Sequence, residues 1–166
     1  FYVKQGRSEV KRYGCIFTCL NFRAVHIEKL NSLDTESFIN GFRRFMAGRG
    51  TPMKVWSDNG TNFVGGSPEI IKCMQKLDEE KIRNFGLEKE VEWNFNPPHA
   101  SHMGGIWERQ IRTIRKILSS LLQKHSDKLT DEVLETFFCE VESIINSRPL
   151  TKLSEDVTDM STLSLN

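Results

Sequence analysis

Met53-Lys54-Val55-Trp56-Ser57-Asp58-Asn59-Gly60 is the stretch on which the fold turns. A brief apolar run stops at Asp58-Asn59-Gly60, and these three are turn residues for physical reasons: Asp and Asn side chains bond their own backbone, and Gly tolerates positive φ. The reading is a short strand with Asp58 at its C-terminal tip. Outward in both directions the pattern supports a sheet. Upstream, Arg12 to Leu20 and Arg23 to Leu30 are rich in β-branched and aromatic residues and read as antiparallel strands joined at Asn21-Phe22, with Phe1 to Lys4 pairing beside them. Between them and Met53, Asp34 or Thr35 can cap a helix whose Phe38, Ile39, Phe42, Phe45 and Met46 fall at helical spacing, and Gly48 and Gly50 end it.

Downstream, Ile70, Ile71, Met74, Leu77 and Ile82 predict one helix from Pro68 to about Phe85, and Val91 to Phe95 alternates like a fifth strand before Asn96-Pro97-Pro98 breaks it. Two further helices follow. Ile106 to Gln123 carries Ile111, Ile114, Leu118, Leu121 and Leu122 on one stripe, and Thr130 to Ile145 carries Val133, Phe137, Val141 and Ile144. This order predicts an α/β domain, a mixed five-stranded sheet flanked by helices, over residues 1–150, with an irregular polar tail at 151–166.

The 166 residues fit one domain with a sizeable core, and 38% hydrophobic against 27% charged residues is a globular balance. No run of about 18 to 20 apolar residues is present, so no membrane span is expected. Phe1-Tyr2-Val3-Lys4 reads into a strand and not into a signal peptide, as a fragment of something longer would. A net charge of +1 is too small to argue for nucleic acid, so the distribution of charge has to carry that case. Cys15, Cys19, Cys73 and Cys139 form no C-x-x-C pair or zinc spacing, and three of the four lie among apolar neighbours, the pattern of buried thiols in a reducing, intracellular location. Asn59-Gly60-Thr61 matches the glycosylation pattern but reads as part of the turn.

Two places make little sense as core. One is Trp56 to Phe63, where a strand delivers Asp58 to an exposed turn; the other is Asn96 to Arg109, a Gly-rich polar loop opening a helix with Glu108 in its first turn. Strand tips and helix N-termini are where open α/β sheets build sites. Each acid also has a plainer reading: Asp58 as the start of an Asx-turn, Glu108 as an acid favoured by the helix dipole. His99 and His102 fit loop hydrogen bonding better than metal ligation. Together, two carboxylates from neighbouring element ends suit Mg²⁺, which prefers one or two carboxylates plus water and phosphate oxygens. Arg109, Arg112, Arg115 and Lys116 fall at i, i+3, i+6 and i+7, a basic stripe leading away from Glu108, readable either as a DNA-phosphate surface or as a solvated face.

Arg23-Ala24-Val25-His26-Ile27-Glu28, Ser57-Asp58-Asn59-Gly60-Thr61-Asn62-Phe63, Asn96-Pro97-Pro98 and His102-Met103-Gly104-Gly105-Ile106-Trp107-Glu108-Arg109 resemble, in order and wording, the integrase catalytic core of BEL/Pao-type LTR retrotransposons, over roughly residues 1 to 150. The resemblance implies a ribonuclease H-like fold in the retroviral-integrase superfamily. It also implies three acids, Asp, Asp and Glu, that hold two Mg²⁺ or Mn²⁺ ions for DNA 3′-end processing and strand transfer. Asp58 matches the second acid and Glu108 the third. The first sits in the family shortly before a Gly-Pro pair, and the residues after that pair resemble Phe1-Tyr2-Val3-Lys4. No acid here precedes Glu9; Glu9, expected in a Gly6 to Lys11 turn, and Glu28, near a strand end, are poor substitutes. The implied partners are DNA, both element ends and target, and further copies of the chain; the implied place of action is the nucleus. Asn62, the amides around Gly65-Gly66, and the stripe Arg109, Arg112, Arg115 and Lys116 are the candidate DNA contacts. The alternative is a catalytically inactive domesticated or truncated core serving as a DNA-binding or self-association module.

Overall fold

A computed structural model describes residues 1–57, 77–95, 105–124, 129–149 and 164. In chain order the elements are β1 (Tyr2–Gln5), β2 (Ser8–Lys11), β3 (Tyr13–Thr18), β4 (Val25–Leu30), α1 (Thr35–Arg49), β5 (Lys54–Ser57), α2 (Glu79–Glu88), β6 (Glu92–Phe95), α3 (Gly105–Lys124) and α4 (Asp131–Asn146). The chain divides into two compact units, one of Phe1, Lys11–Cys15 and Glu28–Glu108, the other of Tyr2–Val10, Ile16–Ile27 and Arg109–Asn166.

The α/β class is as expected, but the single five-stranded sheet is not what the described residues form: they make three two-stranded ladders, β1-β2, β3-β4 and β5-β6. Two local causes are visible. Gly6 takes φ +62 at the first of the two residues joining β1 to β2, as a type II′ turn requires, so Tyr2–Gln5 folds back on Ser8–Lys11 rather than beside β3. The ladder runs on through Arg12, whose N–H donates to Phe1 O at 2.7 Å. Glu9 therefore lies on a strand and not in a turn. At β4, side chains replace a neighbouring strand: Asn146 Nδ2 donates to Val25 O and Val25 N donates to Asn146 Oδ1, both at 2.9 Å, while Ile27 N donates to Glu142 Oε1 at 2.6 Å. Backbone groups so occupied cannot also pair with a strand.

The second unit owes its core to α3 and α4. Ile114 and Leu118 of α3 meet Leu134, Phe137, Phe138, Val141 and Ile145 of α4, with Val3, Val25 and Ile27 from the strands. Each such side chain contributes about 1.5–3 kcal/mol on burial. Thr130 caps α4 by accepting from Val133 N at 3.3 Å. The α4 stripe is rotated from the predicted one, since Ile144 is 52% exposed and Ile145 is buried. The β3-β4 turn is wider than Asn21-Phe22: Cys19 N donates to Ala24 O at 2.8 Å, and Arg23 adopts φ +63. That left-handed turn is held by Gln110 Nε2 (3.4 Å) and Arg148 Nη2 (2.7 Å), which donate to Arg23 O.

In the first unit, Asp34 caps α1 by accepting from Ser37 N at 2.7 Å; the Ser32 hydroxyl, then the Ser37 amide, hold its carboxyl below the ordinary value. The helix predicted from Pro68 to Phe85 does not run through Leu77 and Asp78, which are not helical. Asp78, extended at φ −75 and ψ 94, caps a fresh helix by accepting from Lys81 N at 2.9 Å, and that helix runs to Glu88. Residues 58–76 lie outside the described part. α2 closes in a Schellman motif: Val91 N donates to Gly86 O (2.8 Å) and Glu90 N to Leu87 O (3.1 Å), with Glu90 at φ +57 where glycine is usual. A Cβ on Gly86 would stand 3.1 Å from Val91 O, so the return of the chain into β6 needs a glycine there. Of the described cysteines, Cys15, Cys19 and Cys139 are in no disulfide, and Cys19 and Cys139 are exposed, which corrects the expectation of three buried thiols among four. Burial, with the Glu28 carboxylate adding and Arg44 opposing, pushes the Cys15 thiol up to about 12.

Candidate functional site

β5 and β6 run parallel in the register Lys54↔Glu92, Val55↔Trp93, Trp56↔Asn94 and Ser57↔Phe95. Both strands therefore end at the same edge, with Ser57 against Phe95. This edge is anchored from below. Trp93 is buried, packs edge-on against Phe42 (centroids 5.1 Å apart) and Phe38 (5.9 Å), and donates its indole N–H to Ser57 Oγ at 2.9 Å. Edge-to-face pairs add about 0.5–1.5 kcal/mol each beyond their buried area. On the other face Lys54 pairs with Glu92 at 2.8 Å; the Lys54 contact, then the Asn94 amide, hold the Glu92 carboxyl down.

Asp58 is bonded to Ser57 and lies outside the described residues, as do Asn62, Gly65-Gly66, His99 and His102. Glu108 is described. It sits in the first turn of α3, exposed, and forms no ion pair with another described residue. Glu28 does not stand free as a replacement ligand, because Arg44 Nε donates to it at 2.7 Å. Among the described residues no three or more His, Cys, Asp or Glu side chains converge. Glu108, at the start of α3, is a carboxylate, the ligand type that a hard divalent ion takes.

Arg109, Arg112, Arg115 and Lys116 are all exposed on α3, opposite buried Ile114 and Leu118, and none pairs with a described carboxylate. A cationic stripe with no described carboxylate partner is suited to phosphate binding, since each phosphate neutralised contributes about −0.9 to the slope of log affinity against log salt.

Sequence reading missed a buried polar network around Glu142. Its carboxylate takes the Ile27 amide and faces His26 Nδ1 at 3.1–3.2 Å, and Asn146 and Arg148 follow on the same helix end. The signal was present: Glu142 and Asn146 are polar residues four apart on the rim of the Phe138, Val141, Ile145 face.

No protein-family model and no curated protein sequence matches the chain. Solved structures do. A chain of the simian T-cell lymphotropic virus intasome in complex with PP2A regulatory subunit B56 gamma matches at TM-score 0.61 and 13% identity over 94% of this chain, which spans about half (48%) of that one. The HTLV-2 integrase catalytic core domain in complex with magnesium matches in its dimeric form at TM-score 0.58 and 14% identity, covering 88% of this chain and 81% of that chain. In its trimeric form it matches at TM-score 0.57 and 14% identity, covering 92% and 84%. The fold is thus similar to that of retroviral integrase catalytic cores. No described helix is long and apolar enough to cross a membrane.

Proposed function

We propose that this chain is an integrase catalytic core of the BEL/Pao retrotransposon type, with a ribonuclease H-like sheet, that acts on DNA by metal-assisted phosphoryl transfer. The observation that carries the reading is the likeness to an integrase catalytic core over most of both chains. Asp58 and Glu108 are the metal ligands. That the neighbouring core was solved with magnesium supports Mg²⁺, or Mn²⁺ in its place. Two ions bound at such carboxylates would supply activation of a water or a DNA 3′-hydroxyl and neutralisation of the leaving oxygen in an in-line displacement.

The chain's own residues do the positioning. Trp93 fixes Ser57, the residue where β5 ends and to which Asp58 is bonded. The exposed stripe of Arg109, Arg112, Arg115 and Lys116 binds DNA phosphates, with Asn62 a further contact, and gives affinity without sequence choice. DNA ends and target are the substrates, and the dimeric and trimeric forms of the neighbour together with the intasome support assembly of several copies. The nucleus, where chromosomal DNA lies, is the place of action.

The test is a strand-transfer reaction with labelled duplex ends, run with Mg²⁺ or Mn²⁺ and with chelator. Joined products that need metal and vanish in Glu108→Gln, while DNA binding persists, support the reading. DNA binding with no metal-dependent product points instead to the binding-module alternative, and products unchanged in Glu108→Gln contradict the site.

A further inference from the structure

Three described cations of the first unit are paired with carboxylates: Arg44 with Glu28, Lys54 with Glu92, Lys81 with Glu36. Arg43 lies over the Phe85 ring at 5.3 Å and lines the groove between α1 and α2, beside Glu36, Asp78, Glu80 and Glu88, where a phosphate would be repelled. Arg83 is different. It is exposed on α2, its guanidinium carbon stands 5.7 Å from the centroid of the Phe95 ring, and it pairs with no described carboxylate, neither Glu79 nor Glu80 one turn back included.

The position of that ring gives the contact its meaning. Phe95 is the last residue of β6 and stands in register with Ser57, the last of β5. Arg83 is therefore held at the carboxyl edge of the parallel pair, the side on which open α/β sheets take ligands. Lys89, by contrast, caps the C-terminus of α2, just before the chain enters the amino end of β6. A guanidinium held over an aromatic face loses rotamer freedom, yet keeps N–H groups open for bidentate contact with phosphate oxygens.

We propose that Arg83 is a DNA-phosphate contact at the β5-β6 edge, with Phe95 the platform that orients it. The proposal rests on the DNA-processing reading above. Arg83 belongs to α2 and is no part of the α3 stripe, so it adds a further contact with the nucleic acid.

The test is anisotropy of a labelled DNA duplex titrated with the chain between about 50 and 200 mM salt, with log affinity plotted against log salt. Arg83→Ala should flatten the slope by about 0.9, the value of one phosphate contact. Arg83→Lys should keep the parent slope with weaker binding, because charge remains and the bidentate guanidinium fork is lost. Lys89→Ala should keep both. Arg83→Gln serves as the neutral variant if Arg83→Ala fails to show the parent's melting transition. A parent slope in the neutral variant, with DNA still bound, overturns the role of Arg83 alone. A parent chain that binds no DNA overturns the DNA reading on which the role rests.

Discussion

Asn146→Ala tests whether α4 stands in for a strand. Asn146 exchanges two hydrogen bonds with Val25, one from each of its amide atoms, both 2.9 Å long, and both partners are buried, Val25 at 2% and Asn146 at 6% exposure. Truncation leaves a buried backbone N–H and a buried C=O with no partner, and each such group costs about 1–3 kcal/mol. The sum, about 2–6 kcal/mol before any cavity is counted, is a large part of the roughly 5–15 kcal/mol that holds a domain together. Urea unfolding followed by tryptophan fluorescence and by circular dichroism should show the midpoint falling with an unchanged slope. Asn146→Asp separates the two bonds, since it keeps an acceptor for Val25 N but sets a carboxylate against Val25 O; it should be destabilised as well. Ser147→Ala, next along the helix end and exposed, should stay within about 0.5 kcal/mol of the parent. If Asn146→Ala changed stability no more than Ser147→Ala, the idea that side chains satisfy the β4 edge would be wrong.

Three further outcomes follow from local geometry. Glu90→Gly should stabilise the chain by about 0.5–1 kcal/mol in the same unfolding assay, because Glu90 holds φ +57 at the end of α2 without a glycine's freedom. Asp34 has a lowered folded pKa, so its share of stability is present above the ordinary value of about 3.9 and disappears as pH falls through the lowered one; Asp34→Asn, which caps without charge, should lack that acid-side loss in melts taken across the range. Cys15, its thiol pushed up to about 12, should resist a thiol reagent at neutral pH until the chain is unfolded, whereas exposed Cys19 and Cys139 should label in the native state, as peptide mapping would show.

Local chemistry was legible where one residue decides the outcome. Asp34 and Thr130 cap where a short polar side chain precedes a helical apolar pattern, and Gly50 ends α1. β5 was visible as a brief apolar run and β6 as an alternating one, although their parallel pairing comes from tertiary structure. The helix expected from Pro68 to Phe85 does not run through Asp78, because periodicity cannot see a cap inside its own pattern. Sheet size was misjudged for a related reason. Strand propensity says that Val25 and Ile27 want partners, and nothing local says that Asn146 and Glu142, more than a hundred residues away, will supply them. Of the candidate site, Glu108 and the basic stripe stand exposed on α3 as the pattern suggested, while Asp58 and Asn62 fall outside the described residues.

The central claim is that Asp58 and Glu108 share a divalent ion, and Mn²⁺ titration followed by electron paramagnetic resonance reads it most directly. The parent chain should bind Mn²⁺ in competition with Mg²⁺, each of Asp58→Asn and Glu108→Gln should weaken binding, and the double variant should be no weaker than the worse single one. Equal binding by the parent and the double variant would contradict the claim.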